Sequence, residues 1–156
     1  MPDDDVSHDR PQLKILVAED NPTNQKVLQI VLESYEHDIT MVENGQLAVE
    51  AHAREPFDLI IMDMQMPVMD GVTATQAIRA AEQGTGRHTP LAMLSANAMA
   101  HHVQAALEAG ADQHIAKPFT PKSLCEGLRV TLACVASKDS DEGTTDATIR
   151  PIAKSA

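Results

Sequence analysis

Five short apolar runs alternate with five segments of helical periodicity, and no other feature of this sequence restricts the fold as strongly. In the third run, Leu59-Ile60-Ile61-Met62, apolar residues follow one another without polar alternation, which is typical of a strand buried on both faces. Strict alternation of strands and helices predicts right-handed βαβ crossovers and a parallel sheet covered by helices on both faces. We therefore expect a doubly wound α/β fold with five strands and five flanking helices.

Cap residues, prolines and glycines define the expected limits of each element. We predict strands over 13–18, 39–43, 59–62, 90–94 and 113–116. The helices are expected to begin at 22, just after 45, at 71, at about 98 and at 121. Pro22 follows the N-cap residue Asn21, a favoured arrangement at a helix start. The polar ends, 1–11 and 137–156, lack periodicity, and we expect them to be disordered tails or linkers around one domain over 12–136.

Charge and cysteine content argue against several classes of function. The formal net charge is −11, which disfavours direct binding to nucleic acid or to an anionic membrane. There is neither a signal peptide nor an apolar run of membrane-spanning length, so we expect a cytoplasmic location. Cys125 and Cys134 lie in one helical pattern, about 13.5 Å apart along its axis, which is beyond disulfide reach.

Polar side chains follow four of the five predicted strands at the point where each strand ends. Glu19 and Asp20 follow the first strand, Asp63 the third, Ser95 the fourth and Lys117 the fifth. The carboxyl ends of parallel strands meet at one edge of the sheet, where ligands of open α/β sheets bind. We therefore expect these side chains to meet in one crevice, although a strand-end carboxylate can also serve only to cap the loop behind it.

Acid groups crowded in this way favour a bound cation. Unit charges about 4 Å apart repel by about 4 kcal/mol at an effective dielectric constant of 20, so the acids would either protonate in part or bind a metal. Carboxylate oxygens without Cys or His select Mg²⁺ or a similar ion, which often bridges to phosphate. Asp63 could then attack phosphorus to form an acyl phosphate, with Lys117 neutralising phosphoryl oxygens and Ser95 hydrogen-bonding one of them.

The residues at these strand ends resemble the receiver domain of bacterial two-component response regulators. The resemblance runs from about Leu13 to Ala136, and the sequence is most similar to receivers of hybrid histidine kinases. The motifs that carry it are Glu19-Asp20, Asp63 with Met66-Pro67 and Asp70-Gly71, Ser95-Ala96, and Lys117-Pro118-Phe119. It implies the flavodoxin-like fold, a five-stranded parallel sheet with strand order 2-1-3-4-5.

The resemblance also implies a role for each site residue. Asp63 would accept phosphate from a phosphohistidine, Lys117 would pair with the phosphoryl group, and Ser95 would be the switch hydroxyl. The implied Mg²⁺ ligands are Asp20, Asp63 and the backbone carbonyl of Gln65, with Glu19 holding metal-bound water. The implied partners are a histidine kinase, in cis or in trans, and a histidine phosphotransfer protein. Such a domain is a monomeric phosphoacceptor that assists its own phosphorylation and is not an enzyme in the ordinary sense.

Some positions depart from the family pattern, and others could have more than one role. His114 stands where many receivers have Tyr or Phe, and it fits either a half-buried structural histidine or a pH sensor. Gln65 and Asn97 stand where the family tunes phosphate lifetime. Leu28 and Phe119 flank the crevice and could contact a partner helix, or Phe119 could instead join the last helix to the sheet.

Three other functions compete with a phosphoacceptor. A hydrolase of the aspartyl-phosphate type needs a second acid two residues after the nucleophile, where this chain has Gln65. A flavin- or nucleotide-binding module needs a glycine-rich loop after the first strand, where this chain has Glu19-Asp20. A pseudo-receiver that binds partners without phosphorylation stays open, although the intact acids, Ser95 and Lys117 argue against it.

Overall fold

The computed structural model describes residues 12–96 and 99–144, with no side chains described for residue 100 and for 134–144. The expectations for 1–11, for Asn97 and for 145–156 lie outside these residues. The described chain forms a five-stranded parallel sheet in the order β2-β1-β3-β4-β5, which confirms the predicted fold class and strand order. The strands are β1 Lys14–Ala18, β2 Asp38–Val42, β3 Leu59–Asp63, β4 Leu91–Ser95 and β5 Gln113–Ala116.

A helix follows each of the five strands. The helices are α1 Pro22–Ser34, α2 Gly45–Arg54, α3 Gly71–Glu82, α4 Ala100–Ala109 and α5 Pro121–Thr144. Helix α1 begins with the predicted cap, because the side chain of Asn21 accepts a hydrogen bond from the backbone N–H of Asn24 at 3.1 Å. Gly110 ends α4 in the left-handed conformation, with φ of 118°.

The last helix is longer than the sequence pattern predicted. We expected disorder from 137 onward, but α5 continues to Thr144, so that expectation was wrong for 137–144. No proline stands between Pro121 and Pro151, and adding residues to a helix that has already formed costs far less than starting one. The predicted domain limits themselves stay a prediction.

Strands β1, β3 and β4 contribute alternate residues to two apolar layers, one on each face of the sheet. This arrangement explains why the strands read as continuous apolar runs. The layer beneath α2, α3 and α4 includes Leu16, Ala18, Ile60, Met62, Leu91 and Met93. The layer beneath α1 and α5 includes Ile15, Val17, Leu59, Ile61, Ala92 and Leu94. All five residues of β3 are buried, so Asp63 continues a fully enclosed strand.

The buried face of α1 differs from the predicted one. The three- and four-residue spacing pointed to Val27, Ile30, Val31 and Ser34. The structure instead buries Leu28, Val31 and Leu32, and Ile30 is 57 % exposed. Two overlapping apolar stripes share Val31, and only the angle at which the helix meets the sheet selects between them.

A buried ion network lies at the amino ends of the strands, opposite to their carboxyl ends. Arg79 on α3 donates hydrogen bonds to Glu82 at 2.7 Å, to Asp112 at 3.0 Å and to the carbonyl oxygens of Thr89 and Gly110. Burial raises the pKa of Glu82, but hydrogen bonds from Thr89, Arg79 and His52 outweigh it and lower that pKa from 4.5 to about 2. The network ties α3 to the segments that precede β4 and β5.

The lowered pKa of Glu82 makes this network sensitive to acid. A carboxylate whose pKa is lowered in the folded state stabilises the protein above pH 4.5. This contribution to the free energy of unfolding, here up to about 3 kcal/mol, is lost as pH falls toward 2. In urea unfolding, the free energy of unfolding of the wild type should therefore fall more steeply over this window than that of Glu82→Gln.

The control variant is Glu126→Gln, which removes an exposed carboxylate paired with Arg129 on α5. Its unfolding should follow the wild-type pH dependence closely, since exposed ion pairs contribute little. Parallel pH curves for the wild type and Glu82→Gln would contradict the account of the network.

Candidate functional site

The carboxyl ends of β1, β3 and β5 surround a polar cleft of about 360 Å³. All of the predicted site residues except Ser95 line it, together with several of their neighbours. The lining residues are Glu19, Asp20, Asn21, Pro22, Asn24, Asp63, Gln65, Ala96 and Lys117. The cleft thus lies at the edge of the sheet where parallel strands place their carboxyl ends.

Asp63 lines this cleft from the end of β3. As the last residue of β3 it pairs in register with Leu94 of β4, and it is only 4 % exposed. Its Oδ2 lies 3.1 Å from Nζ of Lys117, and its Oδ1 accepts a hydrogen bond from the backbone N–H of Gln65 at 3.3 Å. The carboxylate is therefore held from two sides and is oriented toward the cleft.

Glu19 is the most deeply buried acid of the site, with no exposed surface. Its Oε2 accepts a hydrogen bond from the backbone N–H of Asn21 at 3.1 Å. Its Oε1 is buried without a hydrogen bond, and Nζ of Lys117 lies 3.3 Å from it. Burial raises the pKa of Glu19; the Asn21 hydrogen bond and Lys117 oppose this shift, whereas the charge of Asp63 adds to it.

Three carboxylates converge with only one ammonium group close to them among the described residues. Oxygens of Glu19, Asp20 and Asp63 lie within 4.8 Å of one another, and Asp20 is exposed to solvent. The donor set is entirely carboxylate, and Oε1 of Glu19 adds a buried acceptor that receives no hydrogen bond. Hard divalent cations prefer such oxygen ligands, so the residues present fit a Mg²⁺ ion.

Ser95 and Lys117 are joined through the backbone. The N–H of Lys117 donates to the carbonyl oxygen of Ser95 at 2.8 Å, and the peptide bond between Lys117 and Pro118 is cis. Ser95 is buried at the end of β4, and its neighbour Ala96 lines the cleft. The end of β4 thus lies between the acid of β3 and the lysine that follows β5.

The family of this chain follows from comparison with known proteins. The sequence profile of the response regulator receiver domain matches residues 15–129. The chain belongs to the response regulator receiver domain family. This receiver is 37 % identical over 124 residues to hybrid signal transduction histidine kinase I of Dictyostelium discoideum, an alignment that covers 76 % of the receiver but 7 % of the kinase. Across eight curated relatives, the receiver spans between 3 % and 16 % of the relative's length.

Solved structures agree with this assignment. The receiver domain of the sensor histidine kinase PA1611 of Pseudomonas aeruginosa, with magnesium coordinated in its active site cleft, matches with a TM-score of 0.69. It is 37 % identical, and the match covers 81 % of this receiver and 99 % of that domain. The receiver domain of Ssk1 of Saccharomyces cerevisiae, solved with the phosphotransfer protein Ypd1, matches with a TM-score of 0.68 at 29 % identity, covering 74 % and 85 % of the two chains.

Two further observations concern the environment of this receiver. Among the described residues, no helix combines the length and the apolarity needed to cross a bilayer. A larger groove of about 880 Å³ lies between α1 and α5, but its lining is mostly apolar and shares no residue with the polar cleft. The chemistry of the acid cluster therefore belongs to the smaller cleft.

The structure also locates the positions that depart from the receiver pattern. His114 is half-buried on β5, and its Nε2 is buried without a hydrogen-bond partner among the described residues. Burial lowers the pKa of His114, and His102 lowers it further. This environment favours a neutral ring.

Leu28 and Phe119 take part in the core beneath α1 and α5. Leu28 is fully buried in that layer, and Phe119 packs against it. A buried side chain has no surface to offer, so the expectation that Leu28 could contact a partner was wrong. The helical pattern could not reveal this because it does not determine which stripe of α1 meets the sheet.

The raised pKa of Glu19 predicts that its charge destabilises the metal-free receiver. When a carboxyl has a raised pKa in the folded state, the protein loses stability as pH rises from 4.5 through that pKa. Gln cannot ionise, so the variant avoids this loss. At pH 7 with a chelator, Glu19→Gln should melt a few degrees above the wild type, where a gain of about 1 kcal/mol gives such a shift.

Asp20→Asn is the matched control, because Asp20 belongs to the same cluster but is exposed. It should change the melting temperature less than Glu19→Gln does. A lower melting temperature for Glu19→Gln at neutral pH would show that the ion pair with Lys117 and the Asn21 hydrogen bond outweigh the cost of burying the Glu19 charge.

Proposed function

We propose that this receiver is the phosphoacceptor of a two-component or phosphorelay system, in which Asp63 takes a phosphoryl group from a phosphohistidine. The observation that supports the proposal most directly is the position of Lys117, with Nζ 3.1 Å from Asp63 and 3.3 Å from Glu19. One cation beside two buried carboxylates can hold a phosphoryl group next to the oxygen that attacks it.

Each side chain has a defined part in the transfer. An oxygen of Asp63 forms a bond to phosphorus, the bond between phosphorus and the donor histidine nitrogen breaks, and an acyl phosphate results. The ammonium group of Lys117 neutralises charge on the phosphoryl oxygens. The hydroxyl of Ser95 donates a hydrogen bond to one phosphoryl oxygen and so reports whether phosphate is present. The buried position of Asp63 limits the access of water to the acceptor oxygen.

The acid cluster would hold Mg²⁺. The ligands would be carboxylate oxygens of Asp20 and Asp63 and the backbone carbonyl of Gln65, with Glu19 binding through water. When bound, Mg²⁺ supplies charge neutralisation to the phosphoryl oxygens during transfer. The magnesium ion in the cleft of the PA1611 receiver domain supports this use of the cluster.

The phosphohistidine would come from a histidine kinase or from a histidine phosphotransfer protein, both acting in the cytoplasm. The long hybrid kinase that this receiver resembles and the complex between Ypd1 and the Ssk1 receiver support these two donor classes. In such a system the receiver transmits a signal and does not turn over a substrate of its own.

Replacing the acceptor oxygen tests the assignment directly. Incubation with Mg²⁺ and acetyl phosphate should add about 80 Da to the wild type at Asp63, and Asp63→Asn should abolish the adduct while keeping the wild-type circular dichroism spectrum. Tandem mass spectrometry locates the adduct.

The control is Asp58→Asn, which alters an exposed acid just before the other end of β3 and should leave phosphorylation intact. An adduct on a histidine, or on another acid in Asp63→Asn, would refute the role of Asp63. Absence of any adduct in the wild type, with acetyl phosphate and with a phosphorylated histidine protein alike, would favour a pseudo-receiver that binds partners without phosphorylation.

Metal binding is tested separately through stability. A ligand that binds only the folded state stabilises it by about 2.7 kcal/mol at 100 times its dissociation constant. Millimolar Mg²⁺ should therefore raise the melting temperature of the wild type, and Asp20→Asn should need more Mg²⁺ for the same rise. NaCl at equal ionic strength is the control for screening, and an equal response to both salts would argue against a specific metal site.

A further inference from the structure

We propose that Gly45, the first residue of α2, is a positioning residue for the metal site. Having no side chain, it lets α2 approach the loop between β3 and α3 and so holds the carbonyl of Gln65 at the correct distance from Asp63. This inference rests on the proposed function, because it assumes that Mg²⁺ binds between Asp63 and Gln65.

The N-terminus of α2 touches this loop through backbone atoms. The N–H of Gly45 donates a hydrogen bond to the carbonyl oxygen of Met69 at 2.9 Å. A methyl group added at Gly45 would lie 2.4 Å from that same oxygen and 3.0 Å from the carbonyl oxygen of Asp70. Cβ of Ala74 on α3 would also lie 3.0 Å away, and none of these three atoms can turn aside as the end of a flexible side chain can.

The loop is also held on its inner side, next to the acceptor strand. The N–H of Gly71 donates to the carbonyl oxygen of Met64 at 2.9 Å, and the N–H of Met64 donates to Leu94 of β4 at 2.7 Å. A methyl group at Gly71 would lie 2.2 Å from the carbonyl oxygen of Asp63. The loop is enclosed between α2 and the end of β3. A steric clash on its outer side therefore also displaces the segment that carries Gln65.

Helix α2 is packed against the sheet through buried alanines. Ala48 and Ala51 are fully buried in the layer between α2 and the sheet. A methyl group at Gly45 therefore displaces the loop rather than the helix.

A displacement of the loop matters because Mg²⁺ demands nearly ideal octahedral geometry at short distances. Residues that orient metal ligands from outside the coordination shell typically change metal affinity by about 10-fold to 100-fold when replaced. We expect Gly45→Ala to raise the dissociation constant for Mg²⁺ by about 10-fold, near the lower end of that range.

The test compares Gly45→Ala with Ala51→Gly. Ala51→Gly weakens the same helix and removes a buried methyl group without adding an atom near the loop. Calorimetric titration with MgCl₂ should show weaker binding for Gly45→Ala and wild-type binding for Ala51→Gly, although both variants melt below the wild type. With acetyl phosphate, the Mg²⁺ concentration for half-maximal phosphorylation of Gly45→Ala should rise by the same factor, and saturating Mg²⁺ should restore the yield.

Equal Mg²⁺ affinities for the two variants would overturn the inference and leave Asp63 as the proposed acceptor. A wild type that binds Mg²⁺ but is not phosphorylated would refute the proposed function, whereas the titration would still test Gly45. If Gly45→Ala does not fold, the amide resonance of Gly45 in the wild type is the measurement. It should shift with the same Mg²⁺ midpoint as that of Gln65, and a Gly45 resonance that does not shift would overturn the inference.

Discussion

Two buried carboxylates share one ammonium group at the tips of the strands, and the rest of the site depends on this imbalance of charge. Glu19 and Asp63 are nearly inaccessible to water, and Lys117 lies within 3.3 Å of both. Asp20 adds a third negative charge at the rim. Buried like charges repel strongly unless a cation compensates them, and the proposed divalent ion would relieve this repulsion.

The two ends of the sheet use the same residue type in opposite ways. At one end, hydrogen bonds from Arg79 and its neighbours lower the pKa of Glu82, so its charge stabilises the fold. At the other end, burial raises the pKa of Glu19, so its charge costs stability. An ion network in which every carboxylate is well hydrogen-bonded stabilises the fold. An ion network with buried carboxylate oxygens that lack hydrogen bonds is characteristic of a functional site.

The geometry around the acid cluster also depends on the packing of the loop that follows Asp63. Its path is determined by two close backbone approaches, at Gly45 and at Gly71, where no side chain fits. The strand places the carboxylate of Asp63, the proposed acceptor, and the packed loop places the backbone oxygen of Gln65 that would complete the proposed metal site. Precise geometry for a small cation thus depends on contacts between elements far apart in the sequence.

The sequence by itself determined the element order, the doubly wound sheet and the positions of the acids and of Lys117 at the strand ends. These features follow from local periodicity, from cap residues and from the rule that parallel strands place their carboxyl ends together. Only the tertiary structure decided which apolar stripe of α1 is buried, and Leu28 belongs to that buried stripe. It also decided how far α5 extends and that Gly45 touches the loop at Met69. The physical reason is that these features depend on distances between elements, and local patterns in a sequence do not encode such distances.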